Sequence, residues 1–157
     1  MSPKAILLAI TAVVGTAWTG TASRTAASPE FVANMTSSQE TPANSSGATG
    51  TATFHVADNK LHYVVRVNGL SGSATAAHIH VGAAGVAGPP VFTFDIKSGV
   101  GKNGAIAEGT FDLKMSATAS VTGDSLMTLL GNGNAYVNVH TAKYPNGETR
   151  GQVMVKK

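Results

Sequence analysis

Among 157 residues there is no cysteine. That absence excludes disulfides, thiolate metal sites, iron–sulfur clusters, a catalytic thiol and a lipid-modified N-terminal cysteine. Charge is sparse as well. Asp, Glu, Lys and Arg together make up 12% of the chain and form no blocks, which argues against a charge-rich disordered tail and against a coiled coil. No apolar run reaches the roughly 20 residues of a membrane-spanning helix. No glycine-rich phosphate cradle opens a helix after a strand, and no nucleophile elbow is present. Nucleotide binding and Ser/His/Asp hydrolysis therefore lack support.

What is there begins with a leader. Lys4 precedes an apolar run from Ala5 to Val14, and small polar residues follow through Ala27. A short basic region, an apolar stretch and a small-residue exit describe a secretory signal peptide, residues 1–27, with cleavage after Ser23 or Ala27. The protein is thus expected to be secreted or periplasmic. Losing Lys4 and Arg24 lowers the formal net charge from +3 to +1, and no basic stripe of the kind that binds nucleic acid remains.

Residues 28–157 read as a single domain, long enough to bury a core without cross-links. Period-two alternation is plain in Thr51–Val56, with Ala52, Phe54 and Val56 on one face. It recurs in Leu61–Val67, with Leu61, Tyr63, Val65 and Val67 on one face. Asp58-Asn59 supplies turn chemistry between them. Further strands are predicted at 31–35, 76–81, 91–95, 110–115, 136–140 and 149–155, with Gly99–Gly104 as a loop and 36–50 as a long entry loop. Thr122–Gly131 offers a capping residue, Leu126, Leu129 and Leu130 at helical spacing and a terminal glycine. The expected fold is all-β, an antiparallel Greek-key-like sandwich of about eight strands with one short helix.

The chemistry lies in five histidines. On a strand, residues i and i+2 leave the same face about 6.5–7 Å apart, so His78 and His80 can converge on one ion while Ile79 enters the core. His140 shares a face with Tyr136 and Asn138. If its strand runs beside the first, three imidazoles meet with a position open for water or substrate. Such ligands suit copper or zinc and do not suit calcium or magnesium. His55 and His62 oppose apolar neighbours and are expected on solvated faces, though either would serve as a fourth ligand if it lay over the site. Each ligating ring needs an acceptor for its other N–H; Asn138, Glu40, Glu148 and backbone carbonyls are the candidates. Glu40 is also a candidate partner for Arg150. The methionines form no run and read as core fillers.

Glu40-Thr-Pro42, Gly69-Leu-Ser-Gly72, Ala77-His-Ile-His-Val-Gly82, Gly88-Pro89, Asn134–Thr141 and Pro145–Gln152 resemble the CHRD domain, named after chordin and widespread in secreted bacterial proteins. The resemblance covers nearly all of 28–157 and implies an immunoglobulin-like or superoxide-dismutase-like β-sandwich outside the cytoplasm. It departs from the usual pattern at Thr149, where an aliphatic residue is common. A looser similarity is to copper-zinc superoxide dismutases, which place a His-x-His pair on one strand, a further copper ligand late in the chain, and an arginine beyond it. That similarity implies His78, His80 and His140 as metal ligands and Arg150 as the group that steers an anionic substrate. The zinc subsite has no counterpart here. The resulting expectation is an exported copper-binding protein with a three-histidine mononuclear site, acting as a copper-only superoxide dismutase. Zinc is the alternative metal, and the alternative function is a non-catalytic metal carrier or a structural, protein-interaction module.

Overall fold

The computed structural model describes residues 28–157; the expected leader lies outside them. The strands in chain order are β1 (Glu30–Thr36), β2 (Thr49–Ala57), β3 (Lys60–Asn68), β4 (Ala74–Val81), β5 (Pro90–Thr93), β6 (Gly104–Asp112), β7 (Ser116–Thr118), β8 (Val121–Thr122), β9 (Ala135–Thr141) and β10 (Thr149–Val155), with helix α1 at Gly123–Gly131. Asp58 and Asn59 both take positive φ, 50° and 60°, the conformation that Asx residues tolerate in tight hairpin turns. The turn fixes the β2–β3 register, with His55 opposite His62 and Phe54 opposite Tyr63.

Eight strands form one antiparallel sheet in the order β5-β4-β9-β10-β1-β2-β3-β6. The sheet curls until its two ends nearly meet. Ile96, just beyond β5, bridges to Ala107 of β6, and the Lys97 amide donates to the Ile106 carbonyl at 2.7 Å. The β5-β4-β9-β10 half thus faces the β1-β2-β3-β6 half across one core, as the sandwich expectation required. Ala33, Phe54, Leu61, Val65, Ile79, Val137, Val139 and Val153 fill it. Aromatic rings join the halves: Tyr63 packs against Phe92 and Phe94 with centroids 5.6 and 5.0 Å apart, and Phe54 lies 6.3 Å from Phe94. Pairs of this kind contribute about 0.5–1.5 kcal/mol each beyond their burial.

The helix caps as its sequence suggests, the Thr122 hydroxyl accepting from the Ser125 amide at 3.2 Å. Leu126 and Leu130 are buried, and the helix lies against β10 and the small β7–β8 ribbon. One local reading needs correction. The strand expected at 110–115 instead runs from Gly104 to Asp112, and the ribbon follows it. The reason is a bulge: register shifts between Val65 and Arg66 opposite β6, so Ile106 and Ala107 are buried consecutively and the alternation breaks.

Most strands bury one face, but β9 buries both. Ala135, Val137 and Val139 point into the core, while Tyr136 and Asn138 on the outer face are buried too. The cover comes from three segments: the entry loop 37–48, the loop 82–89 after β4, and the turn 142–148 before β10. Arg150 and Gln152 of β10 and the Asn44 amide tie these loops down. This covered outer face carries the histidines.

Candidate metal centre

β4 and β9 are neighbours. His78 is registered with Asn138, His80 with Tyr136 and His140 with Ala76, so all three histidines leave the same outer face. Each offers a ring nitrogen within 4.8 Å of the other two. The nearest approach is 3.1 Å, between His78 Nδ1 and His140 Nε2. Two nitrogens held tetrahedrally on one ion at 2.0–2.1 Å sit about 3.3 Å apart, so this pair already stands near ligand spacing.

The orientation of two rings is set by backbone carbonyls. His80 Nδ1 donates to the Gly88 carbonyl at 2.8 Å, and His140 Nδ1 donates to the Pro145 carbonyl at 2.9 Å. A carbonyl can only accept, so Nδ1 carries the proton in each ring and Nε2 presents a lone pair. Nε2 of His80 is buried and has no hydrogen-bond partner. A buried, unpaired nitrogen of this kind costs on the order of 1–3 kcal/mol unless something binds it. The donor set, its spacing and this orphaned atom fit a mononuclear transition metal held by His78, His80 and His140.

Burial pushes all three imidazoles below the usual histidine range. Repulsion from the neighbouring histidines adds to this for His78, and the charges of His140 and Arg150 add to it for His80; the carbonyl bonds pull His80 and His140 partly back. The rings are therefore held neutral, the form a metal requires.

His80 also stacks on Tyr136, the rings 13° from parallel with centroids 4.9 Å apart. The Tyr136 hydroxyl accepts from the Gly88 amide at 3.1 Å and lies 3.3 Å from the Gly88 carbonyl, the same oxygen that receives His80 Nδ1. Only glycine fits at 88, since a Cβ there would overlap the Val81 carbonyl oxygen. The face of Tyr136 also carries the Arg150 guanidinium, 3.5 Å from the ring centroid.

Arg150 sits differently from what anion contact would require. It is 2% exposed. Its Nη2 donates to the Ala83 and Val86 carbonyls at 3.1 and 2.9 Å, and Nη1 donates to the Thr41 hydroxyl at 3.3 Å. Arg150 thereby pins the loop whose Gly88 orients His80. Its charge still reaches the site electrostatically, because Arg150 takes part in none of the ion pairs among the described residues. The expected Glu40–Arg150 pair is accordingly looser than a salt bridge.

The expected carboxylate and amide orienters bond elsewhere. Glu40 Oε1 accepts from Asn138 Nδ2 at 2.7 Å. Burial pushes the Glu40 carboxyl up to about 7, against the opposing pull of Arg150, of Asn138 and of the Thr41 amide. Gly147 closes over this pair: a Cβ there would stand 2.6 Å from Glu40 Oε1. Glu148 is fully buried at the sheet end. Its Oε1 accepts from the Ser71 amide at 2.7 Å, and its Oε2 accepts from the Ser71 and Thr141 hydroxyls at 2.8 and 2.5 Å. It serves the fold, joining the loop after β3 to the end of β9. His55 and His62 lie on the outer face of the opposite half, so neither is a fourth ligand. Tyr136 and Gly88 were missed as orienting residues. Tyr136 shares the strand parity of His140, which was the available signal; the role of Gly88 depends on a loop contact that spacing does not reveal.

Fold and site together define an all-β module with a covered three-histidine cluster on one outer face. The chain belongs to the CHRD domain family, whose model matches residues 31–153. Neither the curated proteins nor the solved structures contain a match. Among the described residues no helix is long and apolar enough to cross a membrane.

Proposed function

We propose that this CHRD domain is an exported copper protein, with His78, His80 and His140 as ligands, and that it dismutates superoxide. The observation that carries the metal reading is the unpartnered, buried Nε2 of His80, in a ring whose other nitrogen is already committed to a carbonyl. Three neutral imidazoles suit copper and zinc alike, and the stability order of divalent ions favours copper at nitrogen sites. Bound there, copper would supply a one-electron couple matched to superoxide; the overall reaction takes two superoxide anions and two protons to dioxygen and hydrogen peroxide.

The chain's own residues divide the remaining work. The Gly88 and Pro145 carbonyls fix which nitrogen of His80 and His140 faces the ion. His78 has no carbonyl acceptor; its Nδ1 donates to His140 Nε2, and a bound ion would replace that proton between the two nitrogens. Arg150 contributes a positive field rather than a contact, and such fields raise the arrival rate of small anions. The leader, residues 1–27, supports export and a secreted or periplasmic location.

One observation favours a second reading. The guanidinium of Arg150 is engaged with carbonyls, a hydroxyl and the Tyr136 ring, which suits a module that holds copper or zinc without turnover. Metal analysis of the protein, with His78→Ala and His140→Ala as controls, tests occupancy. Superoxide decay on copper-loaded protein then separates catalyst from carrier: copper occupancy with no rate above buffer removes the enzyme reading and leaves the carrier.

A further inference from the structure

The two remaining histidines also meet. His55 and His62 are directly opposed across the β2–β3 hairpin. Both leave the outer face, since Phe54 and Tyr63 beside them enter the core. Their ring centroids are 6.1 Å apart and the planes are tilted by 39°. On the other side of His55, its register partner is Glu30 of β1, whose Oε1 lies 3.9 Å from His55 Nδ1. Glu30, His55 and His62 thus form a row across three adjacent strands. The row borders a shallow surface pocket that Thr53, Val64 and Lys156 also line.

We propose that His55 and His62 form a second, surface metal site: a two-imidazole clamp for a divalent transition-metal ion, with water completing the coordination. A nitrogen-bound ion stands 2.0–2.1 Å from its ligand atom and hence about 3.2 Å from the ring centroid, so two rings on one ion are limited to about 6.4 Å. The observed separation falls inside that limit. The donors select copper, nickel or zinc over calcium and magnesium, which take oxygen ligands. Glu30 does not serve as a permanent third ligand, because the Lys156 ammonium already holds its other oxygen at 2.6 Å. Competition from that cation makes the clamp an exchangeable site.

The clamp and the triad are independent. One lies on the outer face of β2–β3, the other on that of β4–β9, and the core of the curled sheet separates them. The exposed clamp is therefore suited to reversible uptake of an ion from solution, and the covered triad to retention. Because the turn at 58–59 fixes the pair, an ion there also staples two strands and stabilises the folded state.

The test is a Cu2+ titration of the mature chain by calorimetry, run on the unaltered protein and on His62→Asn. The proposal expects two ions per unaltered chain and, in His62→Asn, a weaker event at least about tenfold poorer in affinity, since the second imidazole is no longer presented intramolecularly. Imidazole proton resonances of His55 and His62 should broaden together at substoichiometric Cu2+. Identical isotherms for the two proteins, or broadening confined to His78, His80 and His140, would overturn the clamp while leaving the triad intact. Titration of His78→Ala makes the complementary distinction: there the clamp's event persists whether or not the triad's is lost.

Discussion

His78 Nδ1 and His140 Nε2 stand 3.1 Å apart although the two residues are not register partners, each being offset by two positions from the residue facing the other. The meeting is diagonal across β4 and β9. It holds because the Pro145 carbonyl turns the His140 ring. On the proposed function, either His78→Ala or His140→Ala should abolish tight copper binding while leaving the circular dichroism unchanged. Retention of a full equivalent in both variants, measured after exhaustive dialysis, would contradict the three-imidazole site.

The orienting shell can be tested without touching a ligand. Tyr136→Phe deletes the hydroxyl that bonds the Gly88 backbone. It should lower copper affinity by about 10–100-fold, the usual effect of outer-shell loss, with a stability cost of only about 1 kcal/mol. Gly88→Ala should cost about 1–3 kcal/mol, because the loop must move away from Val81. Competition against a chelator and urea unfolding read the two effects separately.

Arg150 has two roles that conservative variants separate. Arg150→Lys keeps the charge but loses the planar fork that reaches the Ala83 and Val86 carbonyls; Arg150→Gln loses both. Each should destabilise by about 2 kcal/mol or more, and each should weaken copper binding through the 82–89 loop. At matched copper content, superoxide decay should fall and lose its ionic-strength dependence in the Gln variant only. Equal rates in the two variants would remove the field from the account.

Glu40 sets a pH dependence. Its carboxyl is raised from an ordinary value of 4.5 to about 7, so the folded state favours the protonated form. The resulting stabilisation is fully present below pH 4.5 and is lost as pH rises through 7. Its size is at most on the order of 3 kcal/mol. Glu40→Gln keeps an acceptor for Asn138 Nδ2 and removes the titration. Wild-type stability measured by urea unfolding should fall relative to Glu40→Gln between pH 4.5 and 7, and the variant should be the more stable above pH 7. Parallel curves would refute this.

Thr149 is fully buried, and its hydroxyl has no hydrogen-bond partner. Thr149→Val should therefore stabilise the fold, by about 1 kcal/mol. A thermal unfolding midpoint lowered in the variant would show that the hydroxyl is satisfied in solution.

The legible parts of this protein were those carried by parity. Alternation gave the β2–β3 hairpin, put Ile79 inside with His78 and His80 outside, and placed Tyr136, Asn138 and His140 on one face. The strand at Gly104–Asp112 escaped because a bulge at its own Ile106 buries Ile106 and Ala107 together, which no period-two pattern displays. The orienting contacts escaped for another reason. Gly88 and Pro145 act through main-chain oxygens, so nothing in their side chains advertises the role. Arg150 was visible as a cation near the site, but its burial depends on two loops distant in sequence, 37–48 and 82–89, folding over it.

The bridge from Ile96 to Ala107 has a bearing on self-association. A sheet left open along both margins offers rows of unsatisfied amides and carbonyls to any other extended chain, and a cysteine-free protein has no covalent clasp to hold those margins shut. Here the short final strand and the bridged flank leave scant length for another molecule to add itself as a neighbouring strand. Near-closure of the sheet therefore guards against fibre-like association.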